Sequence, residues 1–400
     1  MQQNNARIAT LWLIGTALIA VGSQGVAPPA LEGKPAPASP RVTLLRVPDH
    51  GIQPQVAVDA KGIVHLIYFK GDPYGGDIFY VRSKDGRAFS RPLRVNSQPG
   101  SAIAVGNIRG AHLALGKNSR VHVAWNGSNK GEPKGSVKPA PMLYTRMNDA
   151  GTAFEPQRNV IRSAFGLDGG GSVAADGNGN VYVAWHAPEP DSRGEDRRRV
   201  WVAVSTDDGK TFACEKTAWT KPTGVCGCCG LRAFADPKGM LYVLYRSAAR
   251  QVHRDMYLLI SRDKGSDFEG IHLHPWQVET CPMSTASFTQ GRTGILAAWE
   301  TKGQVYFARI DRTTGKCSTP VPAPGTGSGR KHAAVAVNAR GELLLVWTEG
   351  MGWNRGGSLA WQVFDRSGEA TKDKGGAESV PTWSLVAAFV RPDGGFTVVY

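Results

Sequence analysis

The chain has no apolar run of the ~20 residues that a membrane-spanning helix needs. Its longest, Ile8 to Gly22, stops short of that length. This excludes an integral membrane span in the mature chain. Acidic residues are scarce relative to basic ones, 33 against 47, for a formal charge of +14. Such a balance favours polyanionic partners: acidic glycans, anionic membrane surfaces or nucleic acid. No RNA- or DNA-reading motif is present, which argues against nucleic acid. Cysteine is limited to six residues, and they do not form the two paired Cys-x₂-Cys knuckles of a structural zinc site. None follows the apolar run, so nothing there would carry a lipoprotein anchor.

What is present begins with an export pattern. Met1 to Arg7 is short with one cation, the apolar run follows, and Ser23 and Gly25 are small enough for cleavage after about Gly25. Residues 1–25 therefore read as a secretory signal, placing the chain in the periplasm or outside the cell. Residues 26–40, VAPPALEGKPAPASP, read as a semi-rigid extended linker.

The remainder, 41–400, is rich in turns, with most of the 49 glycines and 25 prolines of the chain available to it. A short phrase recurs through it. Its clearest copies are Ser205-Thr-Asp-Asp-Gly-Lys-Thr-Phe212 and Ser261-Arg-Asp-Lys-Gly-Ser-Asp-Phe268. Weaker copies run from Ser83 to Phe89 and from Asn148 to Phe154, and fainter ones begin at Asp311 and Asp365. Each follows a β-branched, apolar run. A repeat of about 50–60 residues fits four-stranded propeller blades.

One unit reads in detail. Gly171 to Ala175 is a small, apolar inner strand, Asp176 to Asn180 a tight turn, Val181 to Trp185 a second strand and Val200 to Val204 a third. Second strands recur at Val64–Phe69, Val121–Trp125, Leu241–Tyr245, Ile295–Trp299 and Leu343–Trp347. After Trp383 only one hairpin remains, Leu385–Val390 with Phe396–Tyr400. The spare strand Arg41–Val47 would complete it, closing the ring with both termini and removing exposed edges. The expected fold is an all-β propeller of four-stranded antiparallel blades, seven in preference to six.

The repeated phrase resembles the Asp box of sialidases and related bacterial-neuraminidase-repeat propellers. Its own job is local turn chemistry. The resemblance implies that these turns lie on one face and an active site on the opposite one. It also implies an Arg-Ile-Pro phrase, further arginines gripping a carboxylate bidentately, an Asp acid/base and a Tyr–Glu nucleophile pair. Here the matching stretch is Gly51-Ile52-Gln53-Pro54-Gln55, and the arginine is missing. Catalytic candidates are Asp72 and Asp77 for the acid, with Glu300 and Glu349 at second-strand ends as a carboxylate pair. Candidates for an anionic ligand are Arg232, Arg246, Arg254, Lys331, His332, Trp353 and Arg355, Trp353 offering a stacking platform.

The phrase Gly224-Val-Cys-Gly-Cys-Cys-Gly230 supports two readings. In an exported chain Cys226, Cys228, Cys229 and Cys281 would form disulfides. Alternatively these thiolates, with Met283, His186, His253 and His332 nearby, would hold Cu(I) or Zn(II). No cofactor is otherwise expected, and the chain is expected to be a monomer. Three functions follow in order: an exported propeller that hydrolyses or binds glycans, a non-catalytic binding module for a glycan or protein, and a metal or redox propeller.

Overall fold

A computed structural model describes residues 40–134, 140–292, 294–327 and 329–400. The expected signal segment and nearly all of the linker lie outside them. Among the described residues no helix is long and apolar enough to cross a membrane.

Residues 40–400 form one unit of seven sheets arranged as blades. Six have four antiparallel strands in simple sequence order. Their innermost strands are Ile52–Val58, His112–Leu115, Ser172–Ala175, Arg232–Ala235, Ser287–Gln290 and Arg330–Val337, defining blades 1 to 6. Blade 7 has three strands: Ala387–Val390, Phe396–Val399 and Val42–Leu45. The N-terminal strand does complete the last blade, running parallel to its neighbour with Val42 opposite Phe396 and Leu45 opposite Val399.

Each blade follows the alternation of its second strand. In blade 3, Val181, Val183 and Trp185 enter one inter-blade core and Tyr182 and Ala184 enter the next. A strand buried on both faces reads as a continuous apolar run. The indoles of Trp125, Trp185 and Trp299, in the second strands of blades 2, 3 and 5, are fully buried. The cores lie between adjacent blades, not within one sheet.

The repeated phrases form the turns between third and fourth strands. Ser205 Oγ donates to Asp207 Oδ1 at 2.7 Å and accepts from Gly209 N at 2.9 Å. The second clear copy repeats this through Ser261, Asp263 and Gly265. Gly209, at φ +78°, has no room for a side chain against the Tyr144 hydroxyl. Phe212 then packs edge-on to Tyr144, with ring centroids 4.8 Å apart. A second set of turns, between first and second strands, lies on the same face. Asp59, Asp176, Asp236 and Asn338 each accept two backbone N–H groups there. Between the inner strands is a channel of about 580 Å³, lined largely by small and apolar residues.

Candidate functional site

The opposite face carries the loops that lead into the inner strands. At blade 1, Gln53 adopts φ +55° and is buried. Its Nε2 donates to the carbonyls of Ala104 (2.7 Å) and Trp383 (2.8 Å). The stretch that matches the Arg-Ile-Pro phrase thus ties three loops together through the neutral amide of Gln53.

The catalytic candidates occupy separate local networks. Asp72 Oδ1 accepts from Tyr74 N at 3.0 Å, capping the turn between the second and third strands of blade 1. Asp77 Oδ1 accepts from Asn96 Nδ2 and Gly100 N, at 2.7 and 2.8 Å. Glu300, in blade 5, is paired with Arg246 at 3.2 Å, and both side chains are 1% exposed. Its Oε1 accepts from Gly303 N at 2.7 Å. Burial raises the Glu300 pKa, and the Arg246 charge opposes that rise. Glu349, in blade 6, accepts from Arg330 Nε and Trp347 Nε1, at 3.1 and 2.8 Å. The two aspartates share one hairpin, while the two glutamates sit in different blades, each with its own arginine.

The arginines divide in the same way. Arg246 also donates to the Arg254 carbonyl at 2.7 Å and lies 4.9 Å from the Trp276 ring centroid. Arg254 pairs with Glu195 at 2.6 Å. Arg232 lines the channel and donates to Gln55 Oε1 at 2.6 Å; burial alone pulls its pKa down to about 10. Lys331 and Arg355 differ, having no carboxylate partner among the described residues. Lys331 Nζ donates to the Pro282 carbonyl at 2.6 Å, and Arg355 Nε to the Gly350 carbonyl at 3.0 Å.

Lys331 and His332 line a small cavity with Met283, Met351 and Trp353. His332 is buried, and its Nδ1 is 3.2 Å from Thr285 Oγ1. Burial first, then the neighbouring Lys331 charge, push its pKa down to about 3, so the ring is neutral. Trp353 is 42% exposed and Tyr74 63%, the two exposed aromatic side chains of the described residues. Trp383 joins them: its Nε1 donates to the Trp353 carbonyl at 2.5 Å, and its ring meets Tyr74 edge-on at 6.2 Å. Sequence reasoning found Trp353 but missed Tyr74 and Trp383. Nothing in their local sequence announces that loops from blades 1, 6 and 7 bring them together.

The cysteine loop leads into blade 4 as expected. All six cysteines are free thiols, and the disulfides expected from an exported chain are not formed. Cys281 is exposed in the next loop and outside the cluster. Cys226, Cys228 and Cys229 do converge, with their sulfurs within 4.8 Å of one another. Cys229 is held below the ordinary thiol range. Its burial acts upward, but contacts from Cys226 and Cys228 and the Arg246 charge outweigh it. His186, in blade 3, is wholly buried, with Nδ1 3.2 Å from Arg198 Nη1 and no partner for Nε2. His253 is only half-buried and bridges toward Gln277.

No protein-family model matches the chain, and neither does any curated protein. Among solved structures, a protein of unknown function from Dyadobacter fermentans superposes with a TM-score of 0.51 at 14% identity. That match covers 84% of this chain and 96% of the other. A Hadza microbial sialidase gives 0.49 at 14% identity, covering 80% and 70%. An α-L-arabinanase from Penicillium chrysogenum gives 0.49 at 14%, covering 80% and 95%. Identities this low concern the course of the backbone and not the chemistry of a site. The chain is a seven-bladed β-propeller.

Proposed function

We propose that this propeller is a non-hydrolytic module that holds an acidic glycan on the face opposite the Asp-Gly turns. The observation that carries this reading is the aromatic rim of Tyr74, Trp353 and Trp383 beside two cations, Lys331 and Arg355, with no carboxylate partner among the described residues. Indole and phenol faces stack on the apolar face of a sugar ring, and a neighbouring cation selects a carboxylate-bearing sugar. The overall positive charge would draw such a polymer in. Export, which the N-terminal pattern supports, would bring the rim to extracellular glycans.

Hydrolysis is the weaker reading: most glycosidases flank the bond with two carboxylates about 5–10 Å apart, sialidases using a Tyr nucleophile instead, and neither arrangement is assembled by the candidate residues. Asp72, Asp77, Glu300 and Glu349 are each spent on turns or ion pairs. Sialylated, uronic-acid and neutral oligosaccharides titrated into the chain, with chromatography of the products, would test both readings. Expected are binding of the acidic sugars that weakens with salt, no cleavage, and a loss of about 5–10-fold in Trp353→Ala, the order of one stacking contact. Released monosaccharide, or affinity unchanged in Trp353→Ala, would overturn the proposal.

A further inference from the structure

The cysteine loop has a geometry that sugar binding does not use. Cys226 Sγ and Cys228 Sγ are 3.3 Å apart, and all three sulfurs of Cys226, Cys228 and Cys229 lie within 4.8 Å of one another. Three sulfurs bound to one ion at about 2.3 Å stand about 3.8–4.0 Å apart, whether the arrangement is tetrahedral or trigonal. The 3.3 Å pair lies below that value, and the 4.8 Å limit on the trio lies above it. Thiols are weak hydrogen-bond donors and acceptors, so mutual contact gives little reason to gather three of them.

The backbone, and not the sulfurs, holds the loop in place. Cys226 N donates to the Arg246 carbonyl at 2.9 Å, and Gly230 N to the Ser284 carbonyl at 3.0 Å. Gly227 N donates to Glu195 Oε1 at 2.6 Å, while the other oxygen of that carboxylate takes Arg254 at 2.6 Å. Gly227 has little space for a side chain, with Asp168 and Glu195 about its Cα. The site is therefore organised before any ion arrives, which lowers the entropic cost of binding. Cys226 and Cys229 are buried, while Cys228 is partly open to solvent and leaves a path in.

We propose that Cys226, Cys228 and Cys229 form a three-thiolate site for Cu(I). Soft thiolate ligands select Cu(I), zinc and iron–sulfur clusters. Structural zinc takes four protein ligands, and among the described residues no histidine, aspartate or glutamate ligand atom joins this set. A site limited to three sulfurs matches the low coordination number that Cu(I) accepts. Binding replaces each S–H proton still present on the three cysteines by an S–Cu bond and releases those protons to solvent. No electron is transferred. The site keeps a net charge of −2, and the cationic Arg254 and Arg246 side chains lie within electrostatic reach of Cys226 and Cys229.

The test uses the full chain, reduced and stripped of metal, titrated anaerobically with Cu(I) against a coloured Cu(I) chelator. One equivalent should bind, with release of protons, and zinc should not displace it. Cys228→Ser should bind at least about a hundredfold more weakly, while Cys281→Ser should match the parent. Cys228 is the least buried of the three, and circular dichroism of each variant separates lost binding from lost fold. Uptake by Cys228→Ser equal to the parent would overturn the site. So would the absence of Cu(I) uptake by the folded, reduced parent, or preferential retention of zinc when both ions are offered.

Discussion

At the scale of single residues, His332 gives a clear pH dependence. Its imidazole is neutral in the fold, pushed down to about 3 by burial, and recovers an ordinary pKa near 6.5 when the chain unfolds. Between those values the unfolded chain binds the extra proton. The stability tied to this residue is therefore complete above pH 6.5 and is lost progressively below it. The expected slope is about 1.4 kcal/mol per pH unit for the one proton. Urea unfolding at pH 7 and pH 5 should show His332→Asn losing about 2 kcal/mol less than the parent over that interval. Asparagine suits the site because His332 sits at φ +54°. A second expectation concerns the buried Arg246–Glu300 pair. Arg246→Met leaves Glu300 without its counter-charge and should cost about 3–5 kcal/mol in urea unfolding, while adding Glu300→Leu should restore most of it. The sequence singled out Arg246 as a ligand candidate and Glu300 as a catalytic one, but not their pairing. Arg246 and Glu300 are 54 positions apart, and no local pattern encodes that they neutralise each other.

At the scale of the element, the turns are the most legible part of the chain. The Ser-x-Asp-x-Gly order specifies which hydroxyl, carboxylate and amide meet, so reading the residues was enough to read the hydrogen bonds. Gly209→Ala should cost about 2–4 kcal/mol, combining a left-handed backbone with the obstruction at Tyr144. Ser205→Ala, which orphans the Gly209 amide, should cost about 1–3 kcal/mol. Thermal melts of the two variants would rank them. The second strands were legible for a related reason: burial on both faces leaves an unbroken apolar run, as in residues 181–185. Of the first turn set only Asp176 to Asn180 stood out, because asparagine and glycine surround it. Asp236-Pro-Lys-Gly239 makes the same bonds with less distinctive residues. The loops that lead into the blades were hardest to read. Gln53, Trp383 and the cysteine trio depend on contacts between blades, which no periodicity within one blade records.

At the scale of the whole molecule, closure by both termini was foreseen from the half-built last repeat. The parallel direction of the closing strand was not, since pairing direction depends on where the chain enters the sheet. Leu45 and Val47 bond to Tyr400 through its amide and carbonyl, at 3.0 Å each. Removing residues 1–47 should leave Phe396–Val399 as an exposed, apolar sheet edge. Size-exclusion chromatography should then show larger species than the intact chain gives. A monomer from the truncated chain would mean that blade 7 protects its own edge. The same closure imposes an order in time. Val42–Leu45 is synthesised well before its partner Phe396–Val399. At about 5–20 residues per second, some 350 intervening residues take about 20–70 s to appear. Throughout that interval the first strand has no native neighbour to pair with. A chain of this design needs something to keep Val42–Leu45 unpaired until Phe396–Val399 emerges, so its newborn form should be a client of holding chaperones until the seventh blade can close.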